Sequence, residues 1–468
     1  MAKDITAEEM AGIDALIGRA RAAMAQVADY DQGRIDRLVQ ALGWATANEK
    51  TFGRIVEMSV KESGLGDPEG RHAKRMKILG VLRDCLRQPS TGIVEEIPAR
   101  GIVKYAKPAG VIASLVPTTN PELTPPYTGL YALKALDAVV FSPHPRSRHS
   151  TFAMVEVMRE ALRRQGAPAD LFQCIEKPSV PITQYLMAHC DLTLATGGQP
   201  MVRAAYSSGR PAYGVGAGNS TMVIDETADI DIAARNTRTS KTSDFGSGCS
   251  ADGNILLHES IYDAFVKALV KEGGYLASKA EAAKIEKVMW DDDHHRLPET
   301  VACPPQMIAK AAGFEIPADR KLIIVEGTGI GKEFNYSREK LTTLLAVYRF
   351  RDFEDALAKV RQVYEVGGKG HSCGIYSHND AHIDALARVA PVSRIMVRQP
   401  QSKANAGAFN NGMPMTSSLG CGIWGGNITN ENIHLKHFLQ TTWVSRPIAE
   451  DRPPDAELFG EFHNSETF

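Results

Sequence analysis

One of the seven cysteines in this 468-residue chain stands among residues that do not fill cores. The segment Ser240-Lys-Thr-Ser-Asp-Phe-Gly-Ser-Gly-Cys249-Ser-Ala-Asp-Gly-Asn254 surrounds Cys249 with small, flexible and polar neighbours. A packing cysteine usually lies among Leu, Val and Ile, whereas Gly246-Ser-Gly248 lets backbone amides come close to a ligand. A thiolate is a strong nucleophile, and an ordinary thiol pKa of about 8.5 falls near positive charge or aligned amides. Cys249 is therefore a candidate nucleophile, and the rest of the chain must supply something for it to attack.

Other clusters carry less. Gly327-Thr-Gly-Ile-Gly331-Lys332 is followed by Glu333, where a phosphate loop needs Ser or Thr, and its spacing is wrong, so it reads as a turn. Asp291-Asp-Asp-His-His295 offers metal-binding side chains, but consecutive residues do not converge on one ion, and a solvated loop is expected. No GxGxxG with an acid about 20 residues on is present, so an ordinary dinucleotide fingerprint is not supported.

The elements that would position Cys249 follow a βα alternation. Residues 8–47 and 53–87 read as helices. Gly110-Val-Ile-Ala-Ser-Leu-Val116 is a continuous apolar run, as in a strand buried on both faces. Strands at 138–142, 170–175 and 191–196 alternate with helices at 149–165, 180–189 and 200–208, which implies right-handed crossovers and a parallel sheet. Thr196-Gly197-Gly198 directly follows one of these strands and opens a helix, where a dinucleotide touches such a sheet. A second α/β region begins near Ser240, with strands at 254–258, 321–325, 345–349 and 373–376. Thr441–Arg446 reads as a late strand before a Pro-rich polar tail. The expected division is a dinucleotide-binding domain over 1–239, a catalytic cysteine domain over 240–426 and a tail over 427–468.

Composition narrows the function classes. A formal net charge of −2 provides no basic field for nucleic acid or an anionic membrane. No run of about 18 apolar residues would span a membrane. The opening Met-Ala-Lys-Asp-Ile-Thr-Ala-Glu-Glu has acids where a signal peptide carries basic and then apolar residues. The cysteines are odd in number and form no CxxC pair, which points away from disulfides and structural zinc and towards a reducing cytoplasm.

Taken in order, several blocks form one pattern: Gly110-Val-Ile…Pro117-Thr-Thr-Asn120-Pro121, Phe141-Ser-Pro-His-Pro-Arg146, Ala195-Thr-Gly-Gly198, Gly214-Val-Gly-Ala-Gly-Asn219, Ser240-Lys-Thr with Cys249, Glu339-Lys-Leu, and Gly420-Cys-Gly-Ile-Trp-Gly-Gly-Asn427. Over about residues 100–445 this resembles the CoA-acylating branch of the aldehyde dehydrogenase superfamily. The resemblance implies an α/β fold of two doubly wound parallel-sheet domains with a small oligomerisation segment, and a homodimer or homotetramer. It implies Cys249 as the nucleophile, and Asn120 as an oxyanion donor beside the Cys249 backbone N–H. It further implies cofactor contacts at Thr118, Ser142, His144, Arg146, Thr196, Gly197, Gly198, Gly216 and Glu339, the last on the nicotinamide-side ribose. No metal is expected.

Hydrolytic relatives use a glutamate upstream of the cysteine to activate water. Here the matching block is Gly214-Val-Gly-Ala-Gly218, with glycine in place of the acid. A CoA thiol is partly ionised near neutral pH and needs less help, so an acyl-CoA product is expected. The block after Phe141 contains no acid for an adenosine ribose but does contain Arg146 and Arg148, which favours NADP while leaving NAD open. The tail from Asn427 resembles acylating sulfoacetaldehyde dehydrogenases. An anionic aldehyde would want cations or donors, for which Arg238 and His434 are candidates. Acetaldehyde and succinate semialdehyde remain alternatives, as do an acyl-phosphate reductase of the same fold and a non-catalytic nucleotide-binding protein.

Overall fold

The computed structural model describes residues 4–463. The N-terminal helical region is more divided than its apolar periodicity suggests. Asp31, Asn48 and Asp67 each accept a backbone N–H three residues on, and so start the separate helices Gln32–Ala47, Glu49–Ser63 and Pro68–His72. Ala7–Val27 precedes them and Arg75–Leu86 follows.

These helices pack with a five-stranded, all-parallel sheet in the order Phe172–Cys174, Ala138–Pro143, Val111–Val116, Leu192–Ala195 and Ala212–Gly214. Val111–Val116 is buried along its whole length, as its unbroken apolar run requires. A second parallel sheet has seven strands: Gly274–Leu276, Leu322–Glu326, Leu344–Phe350, Asn254–His258, Thr221–Ile224, Cys373–Tyr376 and Ile395–Val397. Thr221–Ile224 pairs with both Asn254–His258 and Cys373–Tyr376, so the second sheet claims residues well ahead of the division expected after residue 239. Four buried residues before Asp225 are too short a run to announce a change of domain.

A third, antiparallel sheet joins Ile93–Ile97, Ile102–Pro108 and Leu439–Ser445. The late strand expected at 441–446 therefore pairs with a segment far back in the chain. Ile433, Leu435 and Phe438, just before it, pack into the core of the first sheet. Among the described residues no helix is long and apolar enough to cross a membrane.

The two parallel sheets meet end to end in a way that builds the site. Asn120, Thr196 and Gly216 follow, and Ser142 sits at, the C-terminal ends of four neighbouring strands of the first sheet. Glu339, Cys249, Gly218 and His371 precede the N-terminal ends of four neighbouring strands of the second.

A buried ion network ties the N-terminal helices to this junction. Arg71 lies within 3.4 Å of Glu122 and 3.6 Å of Asp244, donates to Ser59 Oγ at 2.9 Å and to the Thr118 carbonyl at 3.3 Å. The side chains of Arg71 and Glu122 are fully buried. Removing one partner of such a network leaves uncompensated buried charge, so Arg71→Met is expected to cost about 3–5 kcal/mol, measured by chemical denaturation. A loss below about 1 kcal/mol would show that the network is electrostatically neutral to stability.

Candidate active site

Cys249 follows the helix Ile230–Thr242 and a short turn in which Asp244 and Phe245 both take positive φ. Its Sγ lies 3.0 Å from Nε2 of His371. His371 Nδ1 is 2.8 Å from Ser372 Oγ, which is 3.3 Å from Ser220 Oγ, and Ser220 donates to the Cys249 carbonyl at 3.0 Å. One assignment satisfies this chain: Ser372 donates to Ser220, His371 donates from Nδ1 to Ser372, and Nε2 is left as the acceptor facing the thiol. Arg394 anchors the histidine by donating to the His371 carbonyl at 2.9 Å and to the Gly420 carbonyl at 2.6 Å.

Burial pushes the Cys249 thiol up to about 12, with the Glu339 and Cys421 charges adding to it. Burial also pushes His371 down to about 3, helped by the Arg394 charge. The pair is therefore a neutral thiol beside a neutral imidazole at physiological pH, a base waiting for a proton.

The loop before the second sheet is pressed against Cys249. A Cβ on Gly218 would lie 2.0 Å from the Cys249 carbonyl oxygen, and one on Gly216 would lie 2.9 Å from Cys421 Sγ. Neither position accepts a side chain without displacing its neighbours. The Gly218 N–H instead donates to Glu339 Oε1 at 3.1 Å. Burial raises Glu339 to about 7 against the lowering effect of that N–H, Lys241 and Lys340. Cys421 is buried behind the loop, its thiol donating to the Leu419 carbonyl at 3.4 Å.

Asn120 shares a cavity of about 1120 Å³ with Cys249. Its Oδ1 accepts from Lys74 Nζ at 2.8 Å, and its Nδ2 has only Thr119 Oγ1, at 3.4 Å. Lys74 thus fixes which way the amide faces and leaves the NH₂ for a ligand. Lys74 Nζ also reaches Asp244 Oδ2 at 2.8 Å and Glu122 Oε1 at 3.2 Å.

Thr118, Ser142, His144, Thr196, Gly197, Gly198, Gly216 and Glu339 line the same cavity. Ser142 pairs with Thr183 at 2.8 Å and Thr196 with Ser418 at 3.1 Å. Gly197 and Gly198 lead into the helix Gln199–Tyr206, and a Cβ on them would meet only ordinary contacts, Met201 at 3.9 Å and Pro200 at 3.7 Å, so the backbone stays accessible where a dinucleotide meets such a sheet end. The remaining expected contacts lie elsewhere. Arg146 donates to the Ser63 carbonyl at 2.6 Å and does not line the cavity. Arg238, on the helix surface, pairs with Glu272 at 3.2 Å. His434 packs on His437 near Glu431. Those three form a group able to hold a metal ion, as do Asp225, Glu226 and His382, whereas Asp291–His295 forms a turn in which Asp291 accepts from the His295 N–H at 2.8 Å.

His371, Lys74 and Arg394 escaped the sequence reading. The signal for His371 was Gly367-Gly-Lys-Gly370-His371-Ser372, a glycine-flanked histidine ahead of a buried strand.

These charges predict how Cys249 reacts. Its alkylation by iodoacetamide in the free protein, followed by peptide mass spectrometry, should rise with pH without levelling below about pH 10. The Glu339 carboxylate raises the thiol pKa, so Glu339→Gln should speed alkylation. That gain should fade below about pH 7, where wild-type Glu339 is itself protonated. A plateau near pH 8 (roughly the free-thiol value) would contradict the buried, neutral thiol.

Comparison with known proteins agrees with this geometry. Residues 2–283 match the aldehyde dehydrogenase family. The chain is 43% identical over 452 residues to a sulfoacetaldehyde dehydrogenase of Acholeplasma sp, covering 95% of this chain and 93% of that protein. It is 39% identical to an acylating sulfoacetaldehyde dehydrogenase of Bilophila wadsworthia, covering 95% and 97%. Among solved structures, an acetylating aldehyde dehydrogenase from Geobacillus thermoglucosidasius superposes with a TM-score of 0.91 at 34% identity, covering 96% of this chain and 99% of that one. The Cys249 loop set between two parallel sheets, and kinship with enzymes of one kind over some 95% of the chain, lead to one conclusion: this chain belongs to the aldehyde dehydrogenase family, in its acylating branch.

Proposed function

We propose that the protein oxidises a small anionic aldehyde, sulfoacetaldehyde being the leading candidate, to its acyl-CoA with NAD(P)⁺ as oxidant. The observation that carries the acylating half is the loop at Gly216 and Gly218. A water-activating acid has no room there, and the carboxylates lining the cavity are Asp244, engaged by Lys74, and Glu339, engaged by Gly218. The names and full-length identities of the relatives support the substrate.

The residues divide the work as follows. His371 Nε2 takes the Cys249 proton as sulfur attacks the aldehyde carbon. Asn120 Nδ2 and the Cys249 N–H serve the oxyanion that forms, a donor pair of which each member is worth on the order of 3 kcal/mol. A nicotinamide cofactor, held along Thr118, Ser142, His144, Thr196, Gly197, Gly198 and Glu339, supplies the hydride acceptor. Cys249 is then an acyl thioester. His371 gives that first proton up to solvent and, neutral again, takes the CoA thiol proton as the CoA sulfur attacks the carbonyl. The bond to Cys249 sulfur breaks, and the departing thiolate takes the proton back from His371. The balance is aldehyde, NAD(P)⁺ and CoA giving acyl-CoA, NAD(P)H and one proton. The segment Ser142–Pro145 brings His144 and no carboxylate to the cavity, which is compatible with the 2′-phosphate of NADP. The edge strand Leu439–Ser445, exposed along most of its length, is the segment through which we expect subunits to pair.

The test follows absorbance at 340 nm with sulfoacetaldehyde and NADP⁺ or NAD⁺, with and without CoA. Turnover should require CoA and vanish in Cys249→Ala; steady turnover without CoA would overturn the acylating assignment. His371→Asn should lower kcat by about 10²–10⁴-fold, the usual worth of a general base, while Cys249 stays alkylatable. A loss under about 10-fold would remove His371 from the proton-transfer role.

A further inference from the structure

The ionisable residues lining the cavity do not balance. Lys74 and Arg71 meet Asp244 and Glu122, and Glu339, the other carboxylate lining the cavity, is bound to the Gly218 N–H and raised to about 7 by burial. Lys77 and Lys403 remain. Among the described residues neither has a carboxylate within 4.0 Å. Lys77 Nζ donates to the backbone carbonyls of Lys403, at 3.0 Å, and Gly407, while Lys403 Nζ donates to Ser243 Oγ at 2.7 Å. An ammonium carries three N–H groups, so donors are left over on both.

Their surroundings register the excess charge. Burial pushes Lys77 down to about 7, with the Lys403 charge adding to it, and Lys403 is lowered by burial and by Lys74 against the raising effect of Asp244 and Asp67. Two hydroxyls of the same wall, Ser402 Oγ and Ser417 Oγ, are buried with no hydrogen-bond partner. Unsatisfied donors of this kind cost stability unless a ligand meets them. The segments that carry them (residues 73–77, 402–409 and 415–419) line the cavity together with the Cys249 loop at 243–250, and segment 415–419 also meets the strand end at 196, where Thr196 pairs with Ser418.

We propose that Lys77 and Lys403, with the Ser402 and Ser417 hydroxyls, bind the anionic group at the far end of the aldehyde, a sulfonate or carboxylate, and so set substrate choice. This rests on the reading that the substrate is an anionic aldehyde. It assigns that role to residues other than Arg238 and His434, which lie off the cavity.

The experiment compares kcat/KM for sulfoacetaldehyde, succinate semialdehyde and propionaldehyde, with CoA and NAD(P)⁺ present, in wild type, Lys77→Met, Lys403→Met and Lys403→Arg. In each methionine variant the sulfoacetaldehyde-to-propionaldehyde ratio should fall about 10- to 100-fold, mainly through KM, and Lys403→Arg should recover most of it. Propane-1-sulfonate should compete with propionaldehyde in wild type and lose that competition in Lys403→Met, a readout that needs only residual turnover. An unchanged ratio in the methionine variants, with wild type using sulfoacetaldehyde well, would overturn the lysine site and leave the proposed function standing. Wild type that prefers propionaldehyde and ignores propane-1-sulfonate would overturn both. A larger loss for succinate semialdehyde than for sulfoacetaldehyde would mark the site as one for carboxylates.

Discussion

The hydrogen bond from Lys74 to Asn120 is the contact on which the rest of the site depends. The Lys74 ammonium touches Asn120 Oδ1, Glu122, Asp244 and the Thr119 carbonyl, and so joins the end of one sheet to the loop that leads to Cys249 at the other. An amide whose oxygen is claimed can offer only its NH₂, so the orientation of the oxyanion donor is decided before any ligand arrives. The same contact consumes the nearby acid. Asp244 is paired with Lys74 and not with Lys403, so the charge it lends Lys403 is only partial and Lys403 stays lowered by burial.

A second constraint acts from the other side. The backbone of Gly218 occupies the space beside the Cys249 carbonyl, and Glu339 is bound to the Gly218 N–H. Close packing at this point excludes an acid side chain and leaves His371 as the base adjoining sulfur. In the proposed mechanism His371 receives a proton twice, once from Cys249 and once from an incoming thiol, although burial lowers its basicity. It is poorly placed by basicity to activate water, whose pKa lies far above that of a thiol. The chemistry expected of the site thus follows from sterics at a glycine as much as from the nucleophile itself.

Much of this was legible in the sequence because it was local. Cys249 stood out by its glycine and serine neighbours, and the buried strand Val111–Val116 by its unbroken apolar run. The ordered blocks around Asn120, Gly198 and Glu339 carried the family resemblance. What was not legible depended on contacts between distant segments. His371 meets Cys249 across 122 positions and Lys74 meets Asp244 across 170, and no periodicity reports such pairings. Charge in the right neighbourhood of the chain also misled. Arg146 follows a strand that ends at the cavity yet directs its guanidinium to the Ser63 carbonyl, and Arg238 pairs across to Glu272 at the end of the helix Tyr262–Lys271. Thr221–Ile224 was too short to declare that the second sheet had begun.

The charge remainder and the chemistry are connected. Attack by sulfur places an oxyanion on the substrate, and an anionic aldehyde already carries one negative charge a few bonds away. Glu339, itself raised by burial, stands on the same cavity. In a low-dielectric pocket like charges at such distances oppose each other by several kcal/mol at an effective dielectric of roughly 20. Asn120 and the Cys249 N–H meet the new charge, but they do nothing for the old one. Two lysines without acidic partners are what the transition state of an anionic substrate requires, and they would be a burden in a site built for an uncharged aldehyde. Burying unpaired ammonium groups destabilises a fold unless a ligand repeatedly occupies them, so their presence on the cavity that Cys249 lines favours a substrate that brings its own counter-charge.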